Sequence, residues 1–404
     1  MESYQWEFPA KFRSGAFGWK SDLPIKRIKE AVSEIKKVAK KEPVLAAEGA
    51  ISFLSKVSPA LQHVDSSSGA VGSAVNWAID QLVPVLTKSN VSQEERQTWL
   101  AKLWKAFEKD QIPYIEHLGD VFGELCVTQE LASDWANNLL EGLKKSWTEE
   151  QTGYNFFRGT FACFSCLVVA KRHQELLDLL DQSKSKWWLE RRFGVKALLA
   201  MGRPEDALIY AEASRGNWSP GIVIAETCEE ILISMGRLDE AYERYGLEAN
   251  QKMTNLATFR AIAKKYPDKS LTEILERLIK SKPGEEGKWF ATAKDLELFD
   301  LAIELGALNP ADPRTLARAA KDFSSTKPDF AISAGMASLY WISKGYGYEI
   351  ASEDVVLPYL DIMRAVENSG FSKQKIHQEI KEAVFNNKPN GLMLENFLKP
   401  YWKD

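Results

Sequence analysis

Cysteine is scarce in this sequence, at 4 of 404 residues, too few for a disulfide scaffold. Histidine is equally scarce, at 4, which leaves little material for metal or acid–base sites. Neither sign of charge dominates. Lys and Arg number 52 against 56 Asp and Glu, for a net charge of −4, and that balance gives no electrostatic ground for a dedicated nucleic-acid binder. Long apolar runs are missing too. The longest lies within Phe161–Ala170 and is broken by Ser165, whereas a membrane helix needs about 20 such residues. The first residues, MESYQWEFPAKFRSGAFGW, show no basic stretch followed by an apolar one, as a secretory signal would. The expected setting is therefore the cytoplasm, with no membrane partner. Finally, no stretch alternates with period two between hairpin turns, which argues against sheet.

What is present is helical rhythm. Ile25, Ile28, Val32, Ile35 and Ala39 recur at spacings of three and four, one face of an α-helix. A second helix is expected from Val44 to Val57 and a third from Ala70 to Leu86, kinked or ended by Pro84. Ser92 and Glu95 form a capping-box pair at the start of another. Pro204, Pro220, Pro267, Pro283, Pro310 and Pro328 punctuate the rest. The spacing predicts about twenty helices and an all-α fold.

One internal repeat stands out. Leu198–Ala207 (LLAMGRPEDA) matches Leu232–Ala241 (LISMGRLDEA) at an offset of 34 residues, the tetratricopeptide period. Gly202 and Gly236 would each close a helix in the left-handed conformation, and Ala207 and Ala241 would sit where two helices approach closely. The expected architecture is a right-handed α-solenoid of antiparallel helix pairs. It divides into an N-terminal helical region over 1–150, tetratricopeptide-like repeats over 151–345 and capping helices over 346–404.

Further strings extend along the chain: Ala16–Trp19 (AFGW), Asp65–Ala70 (DSSSGA), Cys228–Leu232 (CEEIL), Gly287–Phe290 (GKWF) and Gly345–Ile350 (GYGYEI). In these the sequence resembles an uncharacterised family of bacterial proteins of about this length. The resemblance implies a cytoplasmic helical-repeat protein and brings no reaction, cofactor or site residues with it.

Several residues are candidates for chemistry. Cys163 and Cys166 have metal-motif spacing, but a zinc site needs four ligands. Their apolar flanks read as a buried helix, so no metal is expected. Ser66, Ser67, Ser68 and Gly69 could present free amides to an anion at the start of a helix. The plainer alternative is a helix capped by one of the serines. The helix around Ile25–Lys41 carries seven basic residues, and residues 1–60 hold 11 basic and 7 acidic side chains against 7 and 14 over 61–150. That face could meet phosphates, or a neighbouring acidic segment. Trp188, Arg191 and Arg192 combine the side-chain types that dominate binding hot spots, and Trp188 and Arg192 share a face that permits cation–π stacking. Tyr346 and Tyr348 could line a pocket or staple a loop. The pairs Glu229-Glu230 and Asp239-Glu240 read as helix surface.

No nucleophile elbow, kinase set or dinucleotide loop is present. The best-supported expectation is a non-enzymatic interaction protein that binds a protein or peptide partner on its repeat surface, with no cofactor. A nucleic-acid-associated helical repeat using residues 25–41 is the first alternative. An enzyme whose site is assembled from distant loops is the second.

Overall fold

The computed structural model describes residues 4–148, 157–183, 186–216, 219–384 and 388–402. Helix takes in 73% of the chain, and no strand occurs among the described residues. Two compact units, 1–224 and 225–404, divide it, where the sequence suggested three segments. The boundary expected at 150 lies outside the described residues.

The first unit runs through α1 (Phe8–Lys11), α2 (Asp22–Ala39), α3 (Pro43–Leu61), α4 (Ala70–Thr87), α5 (Gln93–Glu108), α6 (Leu118–Cys126), α7 (Gln129–Thr148), α8 (Thr160–Val169), α9 (His173–Gln182), α10 (Trp188–Ala200) and α11 (Pro204–Glu212). The division falls inside α12 (Gly221–Ser234). The second unit continues with α13 (Leu238–Arg244), α14 (Gly246–Ala249), α15 (Asn255–Lys265), α16 (Leu271–Ser281), α17 (Phe290–Asp295) and α18 (Phe299–Leu308). It ends with α19 (Pro313–Phe323), α20 (Pro328–Ser343), α21 (Ser352–Glu367), α22 (Lys373–Val384) and α23 (Gly391–Leu398).

The apolar periodicity turns into burial as the pattern requires. On α2, Ile28, Val32 and Ile35 are buried while Lys26, Lys29, Lys37 and Lys40 stay exposed. Ser92 caps α5 by accepting the Glu95 amide at 3.1 Å. Helix α3 is the one described helix long and apolar enough to cross a membrane by length and composition, yet Ala46, Phe53, Leu54 and Val57 bury it in the core of the first unit.

Helix α4 ends at Thr87, one residue beyond the expected Leu86, with Pro84 inside its last turn rather than at its end. Just beyond, the buried Arg96 guanidinium donates to the carbonyls of Leu86 (2.7 Å) and Ser89 (2.6 Å). It satisfies acceptors that the end of the helix leaves open.

The two glycines of the sequence repeat build the same turn. Gly202 has φ +71° and Gly236 φ +75°. In each, the next residue's amide reaches back to a helix carbonyl: Arg203 to Leu198 and Arg237 to Leu232, both 2.9 Å. The glycine amide bonds Leu199 at 3.0 Å or Ile233 at 2.9 Å. This is the Schellman closure. The same turn occurs twice more without glycine. Lys171 (φ +57°) places Arg172 on Leu167 at 2.9 Å, and Glu297 (φ +59°) places Leu298 on Ala293 at 3.0 Å.

The same closure also ends α20, where Gly345 (φ +94°) places Tyr346 on Trp341 at 3.0 Å and no helix follows until Ser352. In the other four turns the following helix starts two residues on, at His173, Pro204, Leu238 and Phe299. Five residues on, a side chain is wholly buried: Leu176, Ala207, Ala241 and Ala302. Three of the turns are also clamped by an arginine on an acid three residues later: Arg172 on Glu175 at 2.7 Å, Arg203 on Asp206 at 2.6 Å and Arg237 on Glu240 at 2.7 Å.

The turn geometry predicts opposite signs for opposite replacements. Gly202 and Gly236 have open space around a would-be Cβ, so Gly→Ala at either should cost only the left-handed backbone penalty, about 1 kcal/mol. Lys171→Gly and Glu297→Gly should be stabilising or neutral, since both side chains are exposed and strained backbone is relieved. Urea unfolding of the four variants checks this, and equal losses at all four positions would contradict it.

Candidate functional site

A groove of about 510 Å³ opens in the second unit, within the range of ligand sites. Its long wall is one face of α20. Asp329, Ile332, Ser333, Met336, Ala337 and Tyr340 line it at spacings of three and four, a stretch of about 16 Å. Ile376, Glu379 and Ala383 of α22 form the facing wall, and Phe371 and Ala307 contribute at the margins. The opposite side of α20 is closed by tight packing. A Cβ on Gly335 would stand 2.4 Å from Ile362 of α21, so only glycine admits that approach.

The groove has charged ends. At one end Asp329 is exposed in the first turn of α20, while Glu379 on the facing wall sits 3.9 Å from Lys375. Beyond the other end, the ammonium groups of Lys344 and Lys388 lie 5.7 and 5.2 Å from the Tyr340 ring centre. The hydrogen bond between these two amines draws Lys388 below the usual lysine range. The described lining offers carboxylates but no thiol or imidazole. What it can do is hold an apolar segment with charged flanks.

None of the residues singled out from the sequence lines this groove. Trp188, though 4% exposed, lines a cavity of about 540 Å³ together with Trp187, Leu189 and Pro220, while Arg191 is buried. Arg191 donates to the Tyr210 hydroxyl at 2.6 Å, and its guanidinium stacks over that ring. Arg192 lies over Phe161 and Phe193 rather than Trp188, and donates to Asp120 at 2.6 Å. The exposed aromatic of the group is Trp187.

Tyr346 packs edge-on against Trp341 at 5.3 Å, while Tyr348 is exposed. Ser66, Ser67, Ser68 and Gly69 form an exposed loop. There the Asp65 carboxylate takes the Ser67 amide at 2.9 Å, which holds Asp65 below the usual carboxylate range. Gly69, with φ +70°, stands at the N-cap where a serine was the plainer expectation. Cys163 and Cys166 are buried free thiols, and burial pushes Cys163 up to about 12. Among the described residues no cluster of His, Cys, Asp and Glu could hold a metal ion.

Two polar networks escaped the sequence. Glu229, read as surface, is fully buried, and Lys265, Tyr266 and Asn250 all donate to it, the last at 2.7 Å. Burial and the neighbouring carboxylate push the Tyr266 hydroxyl far up. His117 bridges Asp120 (3.0 Å) and Asp80 (2.7 Å). The bond to Asp120, with Asp80 adding, raises His117 against the opposing effect of burial.

Two measurements follow. Arg191→Ala should lower the unfolding free energy by about 2 kcal/mol, because it strands the Tyr210 hydroxyl; an unchanged urea midpoint would show that this contact is idle. Protonated His117 stabilises the fold fully below the unfolded histidine value of about 6.5. That contribution is lost as pH rises through the higher folded value. The wild-type urea midpoint should therefore fall across the neutral-to-alkaline range more steeply than that of His117→Gln, and parallel curves would refute the assignment.

Although the strings quoted from the sequence pointed to a family, no family model, curated protein or solved structure matches the chain, and the helical class is what stands.

Proposed function

We propose that the chain is a non-enzymatic protein-interaction module that holds a short helical segment of a protein partner in the groove between α20 and α22. The open apolar face of α20 carries this reading. An amphipathic helix of about three turns matches its length. The charged ends select its orientation: cationic side chains toward Asp329, anionic ones toward Lys344 and Lys388.

The proposal includes the architecture of a right-handed solenoid of antiparallel helix pairs. The four turns of one build support it, each followed by a buried residue where a second helix would close on the first. It also includes a cytoplasmic setting, which suits four free thiols. No cofactor enters it. The exposed Lys26, Lys29, Lys37 and Lys40 of α2 support a second reading, in which that face meets nucleic-acid phosphates.

A displayed library of amphipathic helices, selected on the full chain and measured by fluorescence anisotropy, tests the groove. Ala337→Trp fills it and should weaken the selected helices by about tenfold or more. Lys26→Glu should leave them unaffected. Helices that bind Ala337→Trp as well as the wild type would remove the groove from the proposal. Nucleic-acid binding that falls steeply with salt and is lost in Lys26→Glu would favour the second reading.

A further inference from the structure

The second unit holds another, smaller cavity of about 60 Å³, which shares no wall residue with the groove. That is room for a few waters or one small tetrahedral ion. Lys252, Asn255 and Thr258, around the start of α15, form one side, and Lys282 and Trp289 contribute to the rest.

The described lining contains no carboxylate. Neither lysine is within ion-pair distance of a carboxylate among the described residues, although Glu285, held low first by Lys288, also feels Lys282. Trp289 is 3% exposed, and its indole N–H is buried without an acceptor, a cost of about 1–3 kcal/mol unless something fills the role. The Thr258 hydroxyl oxygen already accepts the Lys252 amide at 2.9 Å, so its own proton remains to be donated. The eleven-residue α15 enters the wall at its positive end. Thr254 caps the Ala257 amide at 3.2 Å, and the other first-turn amides remain.

We propose that this cavity binds a small tetrahedral oxyanion. The wall offers two cations, a buried indole donor, a hydroxyl and a helix N-terminus, and the nearby Glu285 carboxylate, bonded to Lys288, tempers only Lys282. Gln251, Asn255 and Ser281 also give the wall acceptor oxygens that water could use, whereas an oxyanion is served by the donors and gains from both charges. The proposal stands apart from the reading of the groove.

The test uses the full chain labelled with 5-fluorotryptophan, with the Trp289 fluorine resonance assigned from Trp289→Phe. Sodium phosphate is titrated at constant ionic strength against sodium chloride. The expected result is a saturable shift of the Trp289 resonance with phosphate and not with chloride. Lys252→Gln and Lys282→Gln should each weaken it about tenfold. Both lysines are exposed, so these variants keep the fold, and circular dichroism checks that they do. Free phosphoserine in place of phosphate distinguishes an ion from a phosphorylated group as the source, and saturation by either supports the site. A Trp289 resonance that ignores phosphate, moves equally with chloride, or moves undiminished in both lysine variants would overturn it.

Discussion

Every helix that stops leaves carbonyls without partners, and a chain of short helices meets that problem again and again. Here the recurring solution is a single residue in the left-handed conformation that folds the chain back onto its own last turn. Because the next helix begins two residues later at four of these turns, all but the one at Gly345, the turn there also sets where the following wall of side chains falls. That is why the fifth residue on is so consistently buried, and why three of the four are alanine. Where the chain did not use this turn, at the end of α4, a guanidinium from the next helix does the same work from outside.

This logic explains which parts of the fold were legible. The turns at Gly202 and Gly236 could be read because glycine announces a positive φ. Those at Lys171 and Glu297 could not, since ordinary residues hold the same conformation under strain. Helix faces with a polar side, such as α2, declared their orientation. Helix α20 is apolar nearly all round, so its pattern could not say which face another helix covers and which stays open. The groove was therefore invisible in the sequence. Arg191 illustrates a related point: a residue type favoured in interfaces is equally suited to a buried place when a tyrosine hydroxyl is at hand.

Buried polar groups tie together what the apolar periodicity cannot. Glu229 gathers donors from residues 250, 265 and 266, and His117 joins residue 80 to residue 120, which in turn holds Arg192. Such contacts cross long stretches of sequence and leave no spacing signal. They are also directional, so they fix one arrangement of helices where apolar contacts alone would tolerate several.

The left-handed turns bear on how the chain comes to be folded at all. Each closes with hydrogen bonds spanning five residues, so a helix, its turn and the start of the next helix complete themselves without waiting for anything downstream. Structure dominated by such near-neighbour contacts forms quickly and exposes little unpaired surface on the way. A ribosome releasing this chain would thus emit closed helix ends one after another, and the slow steps of assembly would be left to the long-range packing and polar ties.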